Sequence, residues 1–118
     1  VSNIAFDYAW FAKDPRQPEL TSRIQNFLHS EGLRSFTDKY TLDGKKASDR
    51  HSVGMLAAAA VGSLAAPPSD VSKAFLEALW DTPMPSGEQR YFDGMLYLMS
   101  LMHLSGEYRV IGPQRVKR

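Results

Sequence analysis

The chain contains no cysteine among its 118 residues. That excludes disulfides, thiolate metal sites and a cysteine nucleophile, and it leaves the redox compartment open. Charge imbalance is almost absent: 14 Lys and Arg against 13 Asp and Glu give a formal net charge of +1. Nothing in that balance points to nucleic acid or to an anionic membrane surface as a partner. Long hydrophobic runs are missing too. The most apolar stretch, Val53 to Ala66, is interrupted by Gly and Ser and is too short to span a bilayer. No secretory leader pattern is visible. There is no Gly-rich phosphate loop and no Gly-x-Ser-x-Gly elbow, and His29, His51 and His103 are too scattered for a metal signature. Neither a metal nor a cofactor is expected.

What is present is helical. Hydrophobic residues make up 43% and charged residues 23%, the balance of a globular protein rather than a disordered one. Five helical segments and no sheet are predicted. The first, Val1 to Ala12, carries apolar side chains in nearly every direction. It has no preceding cap or basic region, which predicts a chain cut inside a longer hydrophobic segment. The second, Glu19 to Glu31, has a stripe of Leu20, Ile24, Phe27 and Leu28, with Arg23, Gln25 and Ser30 off it, and stops at Gly32. A polar connector, Leu33 to Asp49, contains Tyr40-Thr41-Leu42-Asp43-Gly44-Lys45, whose Asp-Gly pair suits a small hairpin. The third helix, Arg50 to Ala65, is small or apolar on all sides and ends at Pro67-Pro68. The fourth is capped by Ser69 or Asp70 and carries Val71, Phe75, Leu76, Leu79 and Trp80 on one stripe. Ser86 and Gln89 have the spacing of a capping box before the fifth helix, which is again apolar all round and ends at Gly106.

Segments one, three and five are therefore apolar on every face, and segments two and four on one. A helix apolar all round must be buried all round, and a striped helix can cover it. This alternation predicts an all-α, two-layer α/α toroid. Three such helices are hard to bury within 118 residues, so part of a larger fold is favoured over a closed five-helix bundle. A non-catalytic helical interaction module is the rival reading.

Candidate carboxylates are few. Asp7, within the first segment, is expected as a buried carboxylate bonded to a neighbour. Glu88 is expected in a helical first turn, where an acid suits the dipole. Asp93 is open between two readings: it pairs with Arg90, or it faces a site. The rim that gathers inner-helix N-termini would receive His51 and Ser52, then Arg90, Tyr91 and Asp93, and the start of the first helix. Aromatic and hydrogen-bonding side chains together suit a sugar.

At these residues the sequence resembles glycoside hydrolase family 8. Asn3 to Phe11, Tyr40 to Gly44, His51 to Gly54, Ala78 to Trp80, Arg90 to Tyr97 and Leu104 to Arg109 follow in that family's order. The similarity extends to about Ile111, and residues 112–118 form a basic tail. It implies the C-terminal portion, about five helices, of an (α/α)6 barrel. It also implies an inverting mechanism on β-1,4-linked glycans, with xylan-active members nearest and cellulose or another β-glucan as the alternative substrate. In inverting enzymes the acid and base carboxyls stand about 6.5–9.5 Å apart with water between them. By the resemblance the glutamic acid and the base aspartate both lie upstream of Val1, so no catalytic residue is expected in this chain. The implied partners are a β-1,4-linked oligo- or polysaccharide and the N-terminal remainder of the catalytic domain. Arg90 and Tyr91, then His51, are the implied substrate contacts, and Asp93 is counted with them as a candidate. In exo-acting members a histidine in this loop closes the cleft and proline usually follows it. Here Ser52 follows, so exo and endo action both stay open.

Overall fold

The structure, a computed structural model, describes residues 1–11, 14–109 and 111–112, so most of the basic tail lies outside the described residues. It contains five α-helices: α1 (Ser2–Phe11), α2 (Arg16–Ser30), α3 (Val53–Val61, continued by a 3-10 turn, Gly62–Leu64), α4 (Asp70–Trp80) and α5 (Arg90–Leu104). Among the described residues there is no strand, only one isolated bridge, Tyr40 to Lys46. That bridge closes the Asp-Gly turn, where Gly44 takes a positive φ of 81° that a side chain would resist.

Helix α3 is the centre. Its Leu56, Ala57, Ala59 and Ala60 join Leu28 of α2, Phe75 and Leu79 of α4 and Phe36 of the connector in one buried cluster. Small side chains let its neighbours come close. A Cβ built on Gly54 would stand 2.7 Å from the Asp93 carboxylate and 2.8 Å from Leu96. Ser52 meets Asp93 near the start of α5, and Val61 and Leu104 share a second cluster at the other end, so α3 and α5 run parallel. Helix α4 runs back: Ser72 near its start is linked through Gln25 to Ser63 at the end of α3. Two helices in one direction, with striped α2 and α4 returning, form the expected two-layer pattern.

Several expectations change. The buried face of α2 is Thr21, Gln25 and Leu28, while Leu20 and Phe27 are exposed. Gln25 is buried because its amide is fully used: Nε2 donates to the Ala59 carbonyl at 2.8 Å, and Oε1 accepts from Ser72 at 3.0 Å. Helix α3 starts at Val53, not Arg50, because the Ser52 hydroxyl accepts the Met55 amide as an N-cap. No capping box forms at Ser86 and Gln89; Gln89 makes no side-chain cap, and Gly87 turns the chain with φ 79°. Glu88 therefore lies outside the helix and is exposed. Asp7 is exposed rather than buried, and accepts a hydrogen bond from Gln17. Helix α1 does not bring its start to the rim: Val1 lies against Gly62, at the far end of α3.

Candidate functional site

The N-terminal ends of α3 and α5 lie side by side, and the connector brings a third strand of chain to them. The connector is tied down by its own groups. Phe36, fully buried, anchors it in the core, and the Asp38 amide donates to the Arg50 carbonyl at 2.9 Å. Arg50 then bridges two carboxylates, donating from Nε to Asp38 at 2.9 Å and from Nη1 to Asp93 at 3.0 Å. One planar guanidinium can serve both because its donors form a rigid fork. The Ser48 hydroxyl donates to the other Asp38 oxygen. That hydroxyl first, and Arg50 second, hold the Asp38 carboxyl below the ordinary carboxylate range. Asp38 first, and Asp93 second, raise the Arg50 guanidinium above its usual value.

Asp93 is 4% exposed. Its Oδ1 accepts from Ser52 at 2.9 Å and its Oδ2 from Arg50. It neither pairs with Arg90 nor faces the open rim: it is buried, and the residues on either side of His51 donate to its two oxygens. Arg90 instead donates to the Gly87 carbonyl at 3.0 Å. Tyr91 is 81% exposed, not packed in the core.

His51 stands between those two anchors. Its Nδ1 lies 2.8 Å from the Phe36 carbonyl, and its ring packs on the Phe36 ring with centroids 4.6 Å apart. A carbonyl only accepts, so Nδ1 carries the proton, and in the neutral ring Nε2 keeps a lone pair. His51 borders a cleft of about 310 Å³. Arg34, Asp81 and Thr82 supply its polar wall, and Leu56 and Ala78 part of its apolar lining. Arg90 and Tyr91 are not among its lining residues. The structure thus gathers His51, Ser52 and Asp93 closely, and leaves Arg90 and Tyr91 exposed on the neighbouring helix start. Arg50 and Asp38, which hold the arrangement together, were not singled out in the sequence. An arginine beside a histidine carries no signal of partners 12 and 43 residues away.

Among the described residues no group of three or more His, Asp or Glu is placed to hold a metal, and no helix is long and apolar enough to cross a membrane. At the other end of α5, Phe6 stacks on His103 at 3.7 Å, with Trp10 and Tyr108 beside it.

No family model matches the chain. The reducing-end xylose-releasing exo-oligoxylanase Rex8A of Paenibacillus barcinonensis is 39% identical over 112 residues, which is 93% of this chain and 29% of that enzyme. The solved structure of Rex8A complexed with xylose superposes with a TM-score of 0.86 at 37% identity, covering 95% of this chain and 30% of that one. A family 8 glycoside hydrolase from Teredinibacter turnerae in complex with xylobiose gives a TM-score of 0.84 at 34% identity, covering 92% and 27%. The chain matches the C-terminal part of family 8 glycoside hydrolases. It spans about 30% of the length of the relatives it matches. Its five helices are a portion of the (α/α)6 barrel of the family 8 neighbours. In that family 8 frame the alternation of all-apolar and striped helices has a direct cause. Helices α3 and α5 run one way, and α2 and α4 return outside α3.

Proposed function

We propose that this chain forms one wall of the sugar cleft of an inverting family 8 glycoside hydrolase acting on β-1,4-linked xylan or xylo-oligosaccharides. The reacting glutamic acid and aspartate, in this reading, lie upstream and outside the chain. The observation that carries the proposal is the match to Rex8A along 93% of the chain at 39% identity. The rim chemistry agrees with it. Tyr91 offers an open aromatic face for a sugar ring, Arg90 offers donors, and His51 Nε2 offers an acceptor for a hydroxyl. Binding along such a wall holds the glycan in register while carboxylates elsewhere supply proton and water. Asp93 acts on the sugar only through its neighbours, because it is buried beneath them.

The upstream part of the barrel is, on the same reading, the partner of the apolar face of α5. That face presents Phe92, Met95, Leu98, Met99 and Met102, all exposed. The test is a fusion in which this chain replaces the C-terminal part of Rex8A. The expected result is xylose release from xylotriose by the fusion and none by the 118-residue chain alone. Hydrolysis by the chain alone would overturn the placement of the carboxylates. An inactive but folded fusion, with the isolated chain a stable monomer, would favour the non-catalytic module.

A further inference from the structure

We propose that Asp93 and Arg50 are positioning residues whose work is to fix where His51 stands against a bound sugar; the inference rests on the cleft reading above. The geometry is unusual in one respect. A single buried carboxylate takes the residue before His51 on one oxygen and the residue after it on the other. The peptide that carries the imidazole is thereby pinned on both sides to the first turn of α5. That same turn carries Arg90 and Tyr91, three and two residues earlier. The spacing between His51 and those two side chains is thus set through Asp93, which ties them to one helix turn.

The other bonds complete the constraint. Arg50 passes the tie on to Asp38, whose amide returns to the Arg50 carbonyl. Ser52 is fixed a second time as the cap of α3. The imidazole itself is turned by the Phe36 carbonyl. Backbone, flanking side chains and ring are each held by a different element, so one orientation of Nε2 is favoured over the many a surface histidine would sample. Preorganisation of this kind removes ordering cost from binding. The guanidinium is suited to the task and an ammonium is not, because only the fork reaches Asp38 and Asp93 together.

The experiment uses the fusion with Rex8A described above. Asp93→Asn and Arg50→Met are expected to raise KM for xylotriose about tenfold with kcat nearly unchanged, the pattern of lost ground-state and transition-state binding alike. Arg50→Lys, which keeps the charge but reaches one carboxylate, is expected to fall between. In a His51→Ala background the same changes are expected to add nothing, because their effect passes through that ring. In the 118-residue chain, Asp93→Asn is expected to speed hydrogen exchange at the Asp38 and Met55 amides, with amides in the middle of α4 unchanged. Unaltered KM in the single variants overturns the proposal, as does an equal rise with and without His51. An inactive wild-type fusion defeats the cleft reading instead, and the exchange measurement then decides the clamp: unchanged exchange at Asp38 and Met55 overturns it.

Discussion

Helices α3 and α5 look alike in sequence and end up in opposite situations. In α3 the buried residues are Gly54, Leu56, Ala57, Ala59, Ala60 and Val61. In α5 the only buried residues are polar, Asp93 and Ser100, while most of its large apolar side chains face outward. The difference lies in company. Helix α3 has α2, α4 and α5 along its length and α1 at its far end. Helix α5 packs mainly on α3, through the face that holds Asp93 and Ser100. An all-apolar pattern states how a helix is surrounded in its complete setting, not how much of that setting one chain supplies. Here the chain spans about 30% of its relatives.

The largest expected effect breaks the α3 side of this contrast. Phe75 is fully buried against α3, and Phe75→Ala is expected to cost about 3–5 kcal/mol through lost burial and the cavity left behind. Met99→Ala on α5 is expected to stay within about 0.5 kcal/mol in the 118-residue chain. Urea midpoints of the two variants measure the gap. In the Rex8A fusion the gap should narrow, since a covered Met99 costs about 2 kcal/mol or more to truncate.

A smaller effect sharpens the contrast at two glycines. Alanine gains about 1 kcal/mol over glycine inside a helix. At Gly94 of α5 a Cβ meets nothing within 4 Å, so Gly94→Ala is expected to raise stability by up to about 1 kcal/mol. At Gly54 of α3 a Cβ would meet the Asp93 carboxylate and the Asp93 backbone at 3.4 Å. That carboxylate is held by Arg50 and Ser52 and cannot give way. Overpacking of about 1–3 kcal/mol then exceeds the helical gain, and Gly54→Ala is expected to lower the melting temperature while Gly94→Ala raises it.

What could be read from the sequence follows the range of the forces involved. Helix α4 was legible in its bounds and in Phe75 and Leu79, since its proline stops, its Ser69 cap and that spacing are all local, but Leu76 of the same stripe is exposed. The existence of α2 was legible and its face only in Ile24 and Leu28, because Gln25 is buried by partners 34 and 47 residues away. Trp80 sat on the predicted stripe of α4 and is 82% exposed at the last position of the helix. At the proposed site, His51, Arg90 and Tyr91 were singled out by the rim reading and then by the resemblance. The pairing of Asp93 with Arg50 was not, since an ion pair between distant residues leaves no pattern in either neighbourhood. Phe36 was hidden in the same way, since nothing in a connector that also holds Leu33, Tyr40 and Leu42 marks it as the buried one.

The smallest effect separates the connector from the helices it rests on. The Ser48 hydroxyl and Arg50 hold the Asp38 carboxyl below its ordinary range. Once the connector is released, Asp38 binds a proton at higher pH than it does in place. Its contribution to order is therefore complete above the ordinary carboxylate range and is lost as pH falls below that range towards the folded value. Hydrogen exchange at the Asp38 and Ala47 amides, corrected for the intrinsic rate, is expected to lose protection as pH falls below the ordinary carboxylate range of about 4. Amides in the middle of α4 should hold theirs. Asp43 also titrates low, beside the Thr41 hydroxyl and Lys45, so the assignment needs a variant. With Asp38→Asn the acid-induced loss should shrink at the amide of residue 38. If it persists undiminished there, the acid-induced loss does not come from the Asp38 carboxyl.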